Sequence, residues 1–177
     1  MQVRPLDGDP EATARAPGGV PGADVAAPPF LTLIDAPARQ DHLPDEWAMA
    51  GPVLIAGRTL DRVVVGPNGV FAVTLDPDPR PATLTGDALL RGGRRVITPV
   101  KVAQAAAFDL RRVLAAAGID VFPYPVLVTR GADGLLGRVR VVPPGCLAAE
   151  VWRHPGYPLR RSQRARVLAA VQHPATA

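Results

Sequence analysis

Hydrophobic positions become regular only after about residue 45. Residues 47–55 form an extended apolar stretch that ends near a turn at Gly57, and residues 60–65 read as a strand buried on both faces. Gly66-Pro67-Asn68-Gly69 presets φ at Pro67 and places two residues tolerant of positive φ after it, which predicts a β-hairpin joining 60–65 to 70–75. Pro77, Pro79 and Pro81 stop the second strand. Thr83-Leu84-Thr85, Gly86-Asp87 and Ala88-Leu89-Leu90 predict a strand, a turn and a strand, and Gly92-Gly93 a further turn before Val96-Ile97.

From Thr98 the period changes. Val102, Ala103, Ala106, Leu110, Val113, Leu114 and Ala117 recur at spacings of three and four, with Thr98 as the expected N-cap, Pro99 at the first helical position and Gly118 as the stop. Residues 126–129 and 139–142 read as the last strands, residues 147–152 as a short helix, and Ser162 as the cap of a basic helix reaching about Gln172. Strands, helix, strands, helix is the order of an α/β domain with a mixed sheet and helices on its faces. No internal repeat is visible.

Residues 1–29 are Pro, Gly, Ala and Asp without helical or strand period, so a flexible tail is expected there and a folded domain over 30–177. Phe30-Leu31-Thr32-Leu33-Ile34 reads as a short strand or an adhesive segment. With 47% hydrophobic and 20% charged residues, the 177-residue chain has enough apolar surface for a core. No apolar run nears the roughly 18 residues that cross a bilayer, and acidic residues stand among the first nine where a signal peptide would be basic, so a cytoplasmic protein with no membrane partner is expected. The single cysteine, Cys146, excludes an internal disulfide and a multi-cysteine zinc site, and is expected as a small core residue.

The net charge of +4 hides an asymmetry. Residues 1–60 carry four Arg and eight acids, whereas residues 61–177 carry sixteen basic and eight acidic residues. The folded part is therefore basic. Nineteen of the twenty positive residues are Arg, and the abundance of Ala, Gly and Pro beside them fits a G+C-rich genome without any appeal to function.

The run Leu60-Asp61-Arg62-Val63-Val64-Val65-Gly66-Pro67-Asn68-Gly69-Val70-Phe71-Ala72-Val73 resembles the signature of the NERD (nuclease-related domain) family: an apolar residue and Asp, a Val-rich strand, Gly-Pro-x-Gly, and a strand carrying Phe. A Gly-Asp hairpin, a strand ending in Arg-Arg-Val, then Pro99 and a helix with Gln104 follow in the family's order, so the resemblance covers roughly residues 46–142. It implies a restriction-endonuclease-like fold, a mixed β-sheet flanked by helices, similar to that of the PD-(D/E)XK nucleases. Their site combines an Asp on one strand, an acid-x-Lys on the next and, in this family, a Gln on the following helix. Carboxylates hold Mg²⁺ or Mn²⁺, which activates water and neutralises phosphate charge, and the lysine stabilises developing negative charge. Acid and lysine stand two apart so that both face one side of the strand.

Carried over to this chain, Asp61 matches the first acid and Gln104 the helix glutamine, but the acid-x-Lys positions fall on Thr74 and Asp76. The family's N-terminal helix with its glutamate has no counterpart here. The resemblance therefore implies a nuclease-related domain with impaired catalysis and no resident cofactor, retained to bind DNA or to regulate a DNA-processing protein. A second reading is a weak Mg²⁺- or Mn²⁺-dependent nuclease in which Asp61 and Asp76 hold the metal, Gln104 assists and Lys101, the only lysine, supplies the migrated positive charge. A third is a protein-interaction scaffold. Arg91, Arg94, Arg95, Arg111 and Arg112 are the expected phosphate contacts, with Arg160, Arg161, Arg164 and Arg166 a further basic cluster. Without such roles, Asp61 is a turn or hydrogen-bonding residue, Gln104 an exposed helix residue, and Asp76 and Asp78 solvated loop residues. Trp47, Phe71, Phe108 and Trp152 are assigned to core or interface packing. The oligomeric state stays open.

Overall fold

The computed structural model describes residues 46–173, so the expected tail and the segment from Phe30 to Ile34 lie outside the described residues. The apolar stretch after Trp47 is cut by Gly51-Pro52 into β1 (Ala48–Ala50) and β2 (Val53–Ile55), and β2 pairs with β3 (Arg58–Leu60) as a separate antiparallel ribbon. A bend at Asp61 splits the expected 60–65 strand, so that β4 (Arg62–Gly66) begins after it. The bend packs against Gly51, whose φ of +145° and whose contact with the Asp61 carbonyl leave no space for a side chain. Through Pro67-Asn68, β4 turns into β5 (Gly69–Leu75) with Val65 opposite Val70 and Arg62 opposite Val73, the hairpin that the sequence predicts.

β6 (Thr83–Thr85), β7 (Ala88–Arg91) and β8 (Arg94–Arg95) make a small antiparallel sheet. Its third strand holds the two arginines rather than Val96-Ile97. Helix α1 (Thr98–Ala116) is capped by Ile97, not Thr98, because the Lys101 N–H already donates to the Ile97 carbonyl and Pro99 has no N–H to lose in the first turn. At its other end Gly118, at φ +67°, donates to Ala115 and Ile119 donates to Leu114, a Schellman closure in which buried Leu114 and Ile119 are the apolar partners.

β9 (Tyr124–Val128), β10 (Gly134–Leu136), β11 (Val139–Val142), α2 (Leu147–Arg153) and α3 (Arg161–Gln172) complete the chain. Strand β10 adds to the expected set. Ser162 falls inside α3, whose start is fixed instead by the Arg160 N–H donating to Gln163 Oε1 at 2.9 Å.

The main sheet has the order β1-β4-β5-β9-β11-β10. β9 lies parallel to both β5 and β11 and the other neighbours are antiparallel, so the sheet is mixed and the fold is α/β. Alternation along β4 and β5 decides which helix covers which face. Val63, Val65, Val70 and Ala72 pack with Leu110 and Leu114 of α1 and Val167 and Val171 of α3, whereas Val64, Phe71 and Val73 pack with Leu147 and Val151 of α2. On the first side, the small sheet adds Leu89 to a cluster with Ala103, Leu127 and Val139, closing over the N-terminal part of α1. No helix among the described residues is long and apolar enough to cross a membrane.

Phe108 and Trp152 are 53% and 69% exposed on the outer sides of their helices, which leaves only the interface half of their expected core or interface packing, and Cys146, expected as a core residue, is exposed at the turn that precedes α2.

Candidate functional site

Three of the residues matched to the nuclease motif, Asp61, Thr74 and Asp76, lie where β4 begins and β5 ends, away from the Pro67-Asn68 turn. Extending the register by one position from Arg62 and Val73 sets Asp61 opposite Thr74, on the sheet face covered by α1. Asp61 Oδ2 accepts the Leu75 N–H at 2.8 Å, so the carboxylate completes the backbone bonding at the end of β5. Burial raises the Asp61 pKa above the usual carboxylate value, and the Leu75 N–H works against that rise. Thr74 is buried, with an Oγ1 that has no hydrogen-bond partner.

Beyond Thr74 the strand continues into a buried ion network. Asp76 is only 2% exposed, which overturns its expected place in a solvated loop: its N–H donates to the Val128 carbonyl at 2.9 Å and holds it against the end of β9. Arg91 reaches in from β7 with its side chain 5% exposed, pairs with the Asp76 carboxylate through Nη2 and meets Asp78 Oδ2 through Nη1 at 2.9 Å. The Thr129 hydroxyl donates to Asp76 Oδ2 at 2.9 Å and receives Arg91 Nη2 at 3.3 Å. Asp78 is held well below the usual carboxylate range, first by the Arg80 side chain, then by the Arg80 N–H and the charge of Arg91.

Lys101 and Gln104 stand on α1, the helix that covers the sheet face carrying Asp61 and Thr74. Lys101 is exposed on α1 and Gln104 half-buried one turn on, and among the described residues no hydrogen bond or ion pair links either of them to Asp61 or Asp76. Nor do these residues fit a divalent cation. Thr74 offers a neutral oxygen, Asp76 is engaged by a guanidinium that would repel the ion, and no group of three or more His, Cys, Asp or Glu among the described residues is placed to share one.

The arginines divide as well. Arg91 is buried, so it faces carboxylates rather than solvent. Arg94, Arg95, Arg111 and Arg112 are exposed, with Arg95 in a 3.4 Å ion pair with exposed Asp87 and Arg111 lying 5.0 Å from the Phe122 ring centre. Arg94 and Arg95 precede α1 and Arg111 and Arg112 stand near its end; at 1.5 Å per residue, residues 98 and 112 are about 20 Å apart.

Sequence reasoning missed Thr129 and the inward course of Arg91. The second was legible in part: Leu89 and Arg91 are two apart on β7 and share its buried face. No family model, curated protein or solved structure matches the chain.

Proposed function

We propose that this chain is a nuclease-related domain of restriction-endonuclease-like architecture that has lost metal-dependent chemistry and acts by binding DNA, alone or beside a DNA-processing protein. The observation that carries this reading is the Arg91–Asp76 pair. Where the nuclease motif needs a lysine, Asp76 brings the opposite charge, and the buried guanidinium of Arg91 restores positive charge at that position. The positive charge thereby serves folding and is turned away from substrate. The motif's acid position is Thr74, which supplies no charge for a metal.

Support for the architecture comes from element order: an antiparallel hairpin with Asp61 and Thr74 at its open end, the small sheet, helix α1, then a strand parallel to β5. Support for DNA comes from four exposed arginines, Arg94 and Arg95 on β8 ahead of α1 and Arg111 and Arg112 toward its end, with about 20 Å of helix between residues 98 and 112, the length of roughly six base-pair steps.

The test is the salt dependence of duplex binding by the full chain and by an Arg94→Ala/Arg95→Ala/Arg111→Ala/Arg112→Ala variant. Binding should weaken as salt rises, and the variant should show a shallower slope of log K against log salt, by up to about four phosphate contacts. Equal slopes would remove these arginines from the interface.

A further inference from the structure

At the other end of β4 and β5, roughly 20 Å along the strand from Thr74 and Asp76, the Pro67-Asn68 turn holds a segment that the nuclease resemblance does not reach. Residues 152–161 leave α2 on one face of the sheet and enter α3 on the other. Asn68 Nδ2 donates to the carbonyls of Val151 at 2.6 Å and His154 at 2.8 Å, and the Leu159 N–H donates to the Pro67 carbonyl at 2.6 Å. His154 turns inward onto Tyr124, edge to ring with centres 4.1 Å apart. Gly156 passes so close to the Asn68 carbonyl that any side chain would collide with it.

This anchored strip turns its largest side chains outward. Trp152 is 69% exposed and Tyr157 76% exposed, and Arg153, Arg160 and Arg161 stand exposed among them. From residue 151 to residue 173 there are five arginines and no Asp or Glu. Two aromatic rings held in solvent by a fixed backbone and interleaved with arginines, of which Arg153 alone has an acid, Glu150, close by on its own helix, are the parts of a surface for single-stranded nucleic acid. Bases stack on the rings and phosphates meet the arginines.

We infer that residues 152–161 bind single-stranded nucleic acid, with Trp152 and Tyr157 stacking bases and Arg153, Arg160 and Arg161 contacting phosphates. The inference rests on the nucleic-acid-binding reading above but uses a different surface. A duplex keeps its base faces stacked inside and would leave both rings unused; a single strand presents them. A lipid surface fits less well, because burial in lipid needs a continuous apolar face, whereas here the two aromatics alternate with arginine and His154 points into the protein. The anchoring by Asn68 matters as well, since little ordering remains to be done on binding.

The test titrates the full chain with a labelled oligothymidine, a labelled duplex and anionic vesicles, following anisotropy and tryptophan emission. Trp152 emission should be quenched by the oligothymidine. Trp152→Ala/Tyr157→Ala should bind it at least about tenfold more weakly while duplex binding and the thermal midpoint hold, and Trp152→Phe/Tyr157→Phe should retain most of the affinity. Three results would overturn the inference: equal oligothymidine affinity in the alanine variant and the parent, no oligothymidine binding by the parent, or quenching by vesicles alone. Duplex binding without single-strand binding would leave the proposed function standing and this strip without its role. Single-strand binding lost in the alanine variant, with no duplex binding, would uphold this strip and remove the duplex surface assigned to the arginines around α1.

Discussion

Arg91 and Asp76 lie fifteen residues apart in sequence and meet as a buried ion pair that ties the small sheet to the end of β5. The pair has support on both sides. Thr129 satisfies the carboxylate, and Asp78 takes the second arm of the guanidinium, which a lysine at position 91 would not have. Its energetics follow from desolvation: a well-bonded buried pair contributes little net stability, but either charge left alone is costly.

Arg91→Ala should therefore destabilise the fold by about 3–5 kcal/mol, and Asp76→Ala by a similar amount. The double variant should cost less than the sum, with a coupling of about 1–3 kcal/mol measured by urea denaturation. Additive effects would mean that the two charges do not depend on each other.

Asp61 offers a test that separates charge from hydrogen bonding. Its folded pKa lies above 3.8, so its protonated form favours folding at low pH, and that advantage is lost as pH rises through the folded value. Burial works against the ionised form of this half-buried carboxylate. Asp61→Asn keeps an oxygen for the Leu75 N–H and removes the charge, so it should hold or raise stability at pH 7. Asp61→Ala should lower it by about 1–2 kcal/mol, because the Leu75 N–H loses its acceptor. A marked loss in Asp61→Asn would show that the charge itself is needed.

His154 gives a pH dependence of the opposite sign. Burial lowers its pKa from 6.5, with Glu150 opposing that shift and Arg140 adding to it. The unfolded chain then takes up the proton first, so the His154 contribution is complete above pH 6.5 and is lost as pH falls through that value toward the folded pKa. The denaturation midpoint should drop between pH 7.5 and pH 5.5, and His154→Phe, which keeps a ring against Tyr124, should flatten that drop. An unchanged profile in the variant would assign the pH dependence to another group.

Much of the fold was legible because its signals are local. Pro67-Asn68 sets the hairpin, the spacing of Ala103, Leu110 and Leu114 sets α1 although Val102 and Ala117 of the expected stripe are exposed, and Gly118 ends the helix, all within a few residues of what they control. The site was less legible because its decisive contacts are distant in sequence. Asp76 sits among prolines that suggest solvent, and only the ladder bond to Val128 and the arrival of Arg91 and Thr129 bury it. The choice between core and surface for Trp152 was illegible for a related reason. A lone tryptophan in a short helix gives no periodicity, and its direction is fixed by the docking of Leu147 and Val151 on the far face of the sheet.

The central claim is a DNA-binding domain without metal-dependent cleavage, and the direct measurement is the anisotropy of labelled single- and double-stranded DNA with the full chain and Mn²⁺, followed over time at low and physiological salt. A salt-sensitive rise that stays constant is the predicted result. A rise that decays as the DNA is cut would contradict the loss of catalysis, and no rise on either DNA would contradict DNA binding itself.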